Sequence, residues 1–333
     1  MNIVYNCNDA FAIHTAVSIA SLFDNNRGSD LINVYILANA MSSESKERFA
    51  KLESEFDTKE RPRHIEIIDL KDYSQMLKLA FGAKVDTGSF DPTVLARLFA
   101  PAHLPDEVER YIYLDADTVV LGDISRLWET ELDGSAVCGM AAEPTIYAKT
   151  KQTLGMSEYD AYYNSGVILT DRLKWEEERI SSKCIDCYNE AGGKGLDFPD
   201  QDILNVVLKG RIGTLWQGWN FFSNYHYRDY KSLKLQAGWY AGLVTEEAYE
   251  AARLSPSIVH FAGGERPWLR ANRNPYRESY AHYLEFTEWR DTPLQKGKEA
   301  DMLLYHFVNL VTKACPRIRM LISALYLKIR TRK

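Results

Sequence analysis

The sequence lacks any uninterrupted apolar run of about 18 residues, so it offers no helix able to span a bilayer. It also lacks internal repeats and low-complexity linkers, which excludes solenoids and disordered tethers. Cysteine is scarce: the five positions 7, 138, 184, 187 and 315 are odd in number and irregularly spaced, so reduced thiols are expected rather than a disulfide framework. Cys184-x-x-Cys187 has no second Cys pair and no His pair, so a zinc site is not expected there. Positive charge is not in excess either. Lys and Arg total 40 against 46 Asp and Glu, so nucleic acid is not an expected partner. No basic stretch leading into an apolar one follows Met1, so no secretory signal is expected and the cytoplasm is the expected compartment.

What is present is core-forming sequence. Of 333 residues, 46% are hydrophobic, which suffices for one large α/β unit with an appendage, or two domains at roughly 150 residues each. The first 70 residues alternate short apolar runs (Ile3 to Tyr5, Asn33 to Leu37, His64 to Asp69) with helical patterns at 10–23 and 44–56. This alternation predicts βαβ units and a parallel sheet. Residues 71–90 read as irregular. Asp91-Pro92 opens a helix that carries Arg97. Further strands are predicted at 111–114, 136–142, 162–170 and 257–261, with one long helix from Asp171 to Glu190, a short one from Pro199 and another over 276–290.

The sharpest local signal is Tyr111-Ile-Tyr-Leu-Asp115-Ala116-Asp117. Two carboxylates spaced i, i+2 at the carboxyl end of an apolar strand point to one face, where open α/β sheets bind ligands. Their repulsion favours a divalent cation with oxygen ligands, which can also bridge to a diphosphate. By itself the pair also resembles the haloacid dehalogenase phosphohydrolases, although here it follows three βα units and no Gly-Asp-x-x-x-Asp comes after it.

Other motifs follow in order: the segment Ile3 to Phe11, Arg97, Tyr163-Asn164-Ser165-Gly166-Val167, Phe198-Pro199-Asp200-Gln201-Asp202, and His260-Phe-Ala-Gly263-Gly264-Glu-Arg266. Together with Asp115 and Asp117 they resemble glycosyltransferase family 8, and within it the bacterial lipopolysaccharide galactosyl- and glucosyltransferases. The resemblance implies a GT-A fold over residues 1–275, a UDP-glucose or UDP-galactose donor, retention at the anomeric carbon, and Mn2+ with Mg2+ as a substitute. It assigns Asp115, Asp117 and His260 to the metal. Asn6, Asn8, Phe11, Ala116, Gly263 and Arg266 go to UDP. Arg97, Asn164, Asp200 and Gln201 go to the transferred hexose, with Gln201 and Asp200 at the reacting carbon. The sequence departs from the family at Asn8, where Asp is usual, at Phe11, where Tyr is usual, and at Arg266, where Lys is usual. The rings between Leu215 and Tyr240 read equally as core or as sugar platforms. A saccharide or lipid-linked glycan is the expected acceptor.

Residues 276–333 form the expected appendage. From Ala314 to Lys333 there is no acidic residue, whereas Arg317, Arg319, Lys328, Arg330, Arg332 and Lys333 are basic. Ile318, Leu321, Ile322, Leu325 and Ile329 recur at helical spacing. A basic amphipathic helix of this kind suits an anionic membrane surface, so the protein is expected to lie peripherally on the inner face of the cell membrane.

Overall fold

The computed structural model describes residues 1–82, 85–88, 90–144, 148–192, 196–312, 318 and 322. In chain order its elements begin β1 (Asn2–Asn8), α1 (Ala12–Asn25), β2 (Ile32–Asn39), α2 (Ser43–Phe56), β3 (Arg63–Asp69) and α3 (Tyr73–Phe81). A 3-10 segment over Pro92–His103 precedes β4 (Arg110–Leu114), β5 (Thr118–Val120), α4 (Ser125–Trp128), β6 (Cys138–Ala142) and α5 (Ala148–Thr153). Next come β7 (Tyr163–Asp171), α6 (Arg172–Glu177), α7 (Ile180–Glu190), α8 (Pro199–Val207), β8 (Ile212–Leu215) and β9 (Phe221–Phe222). The described chain closes with α9 (Tyr230–Gln236), α10 (Glu246–Leu254), β10 (Ile258–His260), α11 (Arg277–Leu284) and α12 (Glu299–Thr312).

The main sheet has seven strands in the order β3-β2-β1-β4-β7-β6-β8. β3, β2, β1 and β4 pair in parallel, β7 runs antiparallel to both β4 and β6, and β8 is parallel to β6. Helices cover both faces, so β1 is apolar on both: Ile3, Tyr5 and Cys7 pack in one core with α1 and α2, and Val4 in the other. This is the expected α/β architecture with a mostly parallel sheet. The strand order reverses direction between β1 and β4, the switch point at which such sheets hold ligands. A second sheet, β5-β10-β9, is antiparallel between β5 and β10, with His260 opposite Thr118. It carries the far end of the chain back to the carboxyl end of β4.

Several elements differ from the sequence-based expectation. Residues 71–90 contain α3, whose Tyr73, Leu77 and Phe81 are buried at four-residue intervals. The helix opened by Asp91 winds as 3-10 turns, with the Asp91 carboxylate accepting from Thr93 N–H at 2.8 Å. The expected helix from Asp171 to Glu190 is two helices, because Arg179 adopts a left-handed φ of 55°. Buried Trp175 and Ile180 are five residues apart, one too many for a single helix face, and the left-handed residue absorbs the excess. In place of a helix over 276–290, α11 ends at Leu284. Tyr280, Tyr283, Trp289 and Met302 pack in the α1–α2 core, so the chain just beyond residue 275 shares the core of β1. Among the rings after Leu215, Phe221, Phe222, Tyr225, Tyr230 and Tyr240 are buried in the opposite core. The basic segment 314–333 lies outside the described residues except for exposed Ile318 and Ile322.

The edge strand β3 starts at Arg63, which is 2% exposed. Its guanidinium donates to the Asn26 carbonyl at 3.0 Å and the Ser29 carbonyl at 2.9 Å, clamping the turn that leaves α1. Removing it leaves both carbonyls without these charged donors. Arg63→Met is expected to lower stability by about 2–4 kcal/mol, read as a lower urea midpoint at unchanged slope.

Candidate active site

β4 ends at Leu114, and the chain turns through Asp115-Ala116-Asp117 into β5. Thr118 holds this turn: its hydroxyl donates to the Asp115 carbonyl at 2.8 Å and meets Ser18 Oγ at 2.8 Å. The pairing of β10 with β5, and Phe261 N–H donating to the Asp117 carbonyl at 2.9 Å, bring His260 alongside. His260 Nε2 lies 3.2 Å from Asp117 Oδ1 and 3.6 Å from Asp115 Oδ2. One potential ligand atom from each of the three residues falls within 4.8 Å of the others. Two carboxylate oxygens and an imidazole nitrogen make a donor set suited to manganese, so the residues present fit the expected ion. Ala116 is buried between the two carboxylates.

Two arginines neutralise the other carboxylate oxygens. Arg97 Nη2 donates to Asp115 Oδ1 at 2.7 Å, and its Nε lies 3.1 Å from Asp200 Oδ2. It also donates to the Ser165 carbonyl at 2.7 Å, and its guanidinium carbon lies 4.5 Å from the Tyr113 ring centre. Burial opposes its charge, but Asp115 and Asp200 outweigh that and keep it charged. Arg266 bonds the remaining oxygen of Asp117. Burial alone would raise the pKa of Asp117, yet Arg266 and His260 hold it well below the carboxylate range. For His260, burial is outweighed by Asp117 and then Asp115, which raise its pKa above the ordinary value.

A second group of side chains meets this cluster through Arg97, which reaches both Asp115 and Asp200. Asp200, at the start of α8, accepts from Ser165 Oγ at 2.9 Å. Its burial raises its pKa, and Arg97 offsets part of the effect. Gln201 Oε1 accepts from Asn164 Nδ2 at 2.7 Å and from Ser165 N–H at 3.2 Å. Gln201 Nε2 donates to Glu143 Oε2 and to Tyr162 Oη, each at 3.0 Å. Asp202 is turned away from this group, bonded to Tyr162 Oη at 2.5 Å and to Phe198 N–H at 3.0 Å. The structure therefore brings Arg97, Asp115, Asn164, Asp200 and Gln201 into one buried constellation.

The residues expected at the nucleotide lie on neighbouring elements. The β1–β4 register sets Tyr5 opposite Leu114, so Asn6 follows beside Asp115 at the strand ends. Asn6 Nδ2 lies 3.4 Å from the Thr93 carbonyl, and its Oδ1 is buried without a partner. Asn8 Oδ1 caps the turn before α1 by accepting from Phe11 N–H at 3.1 Å. The Phe11 ring is 42% exposed. It meets His14 edge-on at 5.4 Å, and His14 stacks on Trp268 at 3.8 Å, two residues from Arg266. Among the described residues, no hydrogen bond joins Asn8 or Phe11 to the carboxylate cluster. Gly263 has φ of 97°, a backbone conformation that favours glycine.

Sequence reasoning missed Glu143, Tyr162 and Asn220, which hold the named residues in place. No local pattern marks them. They flank the end of β6, the start of β7 and the start of β9, and their contacts exist only once the strands are in register.

The sequence pattern described as Glycosyl transferase family 8 matches residues 2–272. General stress protein A of Bacillus subtilis is 28% identical over 87% of this chain and 94% of its own length. A lipopolysaccharide 1,2-glucosyltransferase of Escherichia coli is 27% identical over 90% of this chain and 81% of its own. Among solved structures, galactosyltransferase LgtC in complex with donor and acceptor sugar analogs superposes with a TM-score of 0.69 at 22% identity, covering 87% of this chain and 99% of that one. The fold is thus of the GT-A type. The family match overturns the haloacid dehalogenase alternative, which rested on the Asp-x-Asp pair alone.

Gly166 is the tightest point of the site. A Cβ there would stand 2.3 Å from His260 Cε1 and 2.6 Å from its Nδ1. The ring has little room to give way, because Asn220 Oδ1 ties its Nδ1 at 3.0 Å and β10 is paired with both β5 and β9. Gly166→Ala is expected to cost about 1–3 kcal/mol by overpacking and to displace His260 from Asp115 and Asp117, so that a divalent cation offered to the cluster binds about tenfold or more weakly. Thermal melting and a Mn2+ titration read the two effects, and wild-type Mn2+ affinity in this variant would contradict the geometry.

Proposed function

Since the chain belongs to glycosyl transferase family 8, and is therefore a glycosyltransferase, we propose that it moves glucose or galactose from a UDP-sugar to a glycan acceptor with retention at the anomeric carbon. The observation that carries this reading is the contact of the Asp115–Asp117–His260 cluster with the Asn164–Asp200–Gln201 group through Arg97. A diphosphate bound at the first would put its sugar against the second.

Asp115 Oδ2, Asp117 Oδ1 and His260 Nε2 would hold Mn2+, or Mg2+ in its place. When bound, the ion supplies positive charge to the leaving diphosphate. Arg266 meets phosphate oxygens, and Gly263 lets the backbone approach them. Phe11 presents an exposed ring for the uracil, with Asn6, Asn8 and Ala116 lining the nucleoside side. Arg97, Asn164 and Asp200 orient the hexose. Gln201 Oε1 already accepts two hydrogen bonds, so its lone pairs are committed and it is a poor nucleophile. Its carbonyl dipole can still stabilise an oxocarbenium ion, which favours same-face attack on a short-lived ion pair. Asp202, tied to Tyr162 and Phe198, is not the trapping carboxylate in this reading.

The Escherichia coli relative's name makes lipopolysaccharide the acceptor we favour. A surface-bound acceptor also suits the outer row of α12. Leu303, Leu304, Phe307, Leu310 and Val311 are 56 to 72% exposed, and the basic segment 314–333 follows directly. The exposed apolar row and the basic segment together would rest on anionic lipid, and no helix among the described residues is long and apolar enough to cross a membrane.

A panel of nucleotide sugars with Mn2+, scored by UDP release, tests the donor. UDP-glucose or UDP-galactose is the expected substrate, and activity untouched by EDTA would refute the metal reading. In the same assay Gln201→Ala should lower kcat by about one to three orders of magnitude at little-changed UDP affinity. For the membrane, truncation after Thr312 keeps the contact of His306 Nε2 with Glu265 Oε1, at 3.2 Å, beside Arg266. That variant should retain donor hydrolysis but sediment less with anionic liposomes at low salt. Full-length protein that stays in the supernatant would remove the membrane reading.

A further inference from the structure

Three side-chain amides stand in line inside the protein. Asn220 Oδ1 lies 3.0 Å from His260 Nδ1, and Asn220 Nδ2 donates to Asn164 Oδ1 at 2.7 Å. Asn164 Nδ2 donates in turn to Gln201 Oε1 at 2.7 Å, and Gln201 Nε2 donates to Glu143 and Tyr162. Because an amide has a donor end and an acceptor end, such a line has a direction. Two backbone groups set it. Gly166 N–H donates to Asn164 Oδ1 at 2.9 Å, and Ser165 N–H donates to Gln201 Oε1 at 3.2 Å. Reversing Asn164 would set its N–H against the Gly166 N–H and its oxygen against Gln201 Oε1. Asn220 is bound by the same logic: its nitrogen must face Asn164, so its oxygen faces His260.

We infer that Asn220 is a positioning residue with two ends. Its oxygen accepts from His260 Nδ1–H, which reserves Nε2, the nitrogen that faces Asp115 and Asp117, as the one whose lone pair a cation held there would take. Its nitrogen pins Asn164, which keeps Gln201 in place. At 1% exposure it cannot meet substrate and acts through its neighbours alone. The inference rests on the metal role of His260 and the sugar role of Gln201 proposed above. A ligand histidine fixed through its second nitrogen is a common way of tuning a metal site. The distinctive feature here is that the fixing group also reaches the sugar side.

Two variants separate the ends. Asn220→Ala removes both contacts. Asn220→Asp keeps an acceptor for His260 but has no donor for Asn164. Free Mn2+ is counted by electron paramagnetic resonance in the presence of UDP, and kcat and KM are measured for hydrolysis of the preferred UDP-hexose. Asn220→Ala should weaken Mn2+ binding by about 10–100-fold. Asn220→Asp should hold Mn2+ within about threefold of wild type, while kcat falls by about tenfold or more at unchanged UDP affinity. Equal loss of Mn2+ affinity in both variants would mean that the residue only fills space, and overturns the inference. So does unchanged Mn2+ affinity in Asn220→Ala. A wild-type protein that binds UDP but no Mn2+ is a different failure: it overturns the metal reading itself, and with it the His260 end of this inference.

Discussion

Crowded negative charge is the constraint on which the site depends. Asp115, Asp117 and Asp200 are drawn together at the carboxyl end of β4 and the start of α8, where little water is left to screen them. They are tolerated because each has a cation within bonding distance. Arg97 lies between Asp115 and Asp200, and Arg266 bonds Asp117. Arg97 itself needs a place to be buried, which the Ser165 carbonyl and the Tyr113 ring provide. A charge buried this way holds only as a set, since removal of one partner leaves the others exposed to their own repulsion.

The same arrangement divides the carboxylate oxygens by task. One oxygen of Asp115 and one of Asp117 are taken by arginine, and the other two face His260. The imidazole can come this close only because residue 166 has no side chain. The small β5-β10-β9 sheet is therefore an integral part of the site. It fixes the height of His260 over the carboxylates, while the main sheet fixes the carboxylates themselves.

Much of this was legible in the sequence, and the limits have physical causes. Asp115 and Asp117 could be read because a strand followed by two carboxylates at i, i+2 is a local pattern. The break in the expected Asp171–Glu190 helix was also written there, in the five-residue step from Trp175 to Ile180. So was α3, in the spacing of Tyr73, Leu77 and Phe81. Asn220, Glu143 and Tyr162 were not legible. Each is an ordinary polar residue whose importance lies in a partner dozens of residues away. Arg97 was assigned to the hexose, and nothing in its own segment announces that it also bridges two aspartates. The rings after Leu215 could be core or platform by composition, and burial makes most of them core.

The pairing of Thr118 with His260 has a consequence for the order of synthesis. A ribosome releases Asp115 and Asp117 well before His260 and Arg266, which arrive with the last quarter of the chain. During that interval β1, β2, β3 and β4 can pair, and Arg97 is the cation already made to meet Asp115. Asp117 must wait. The nascent domain thus carries an unbalanced carboxylate at the carboxyl end of β4 until β10 pairs with β5 and Arg266 follows, so the last strand among the described residues brings in the charge balance of the fourth. A chain stopped before β10 would lack both His260 and Arg266, and with them the partners of Asp117.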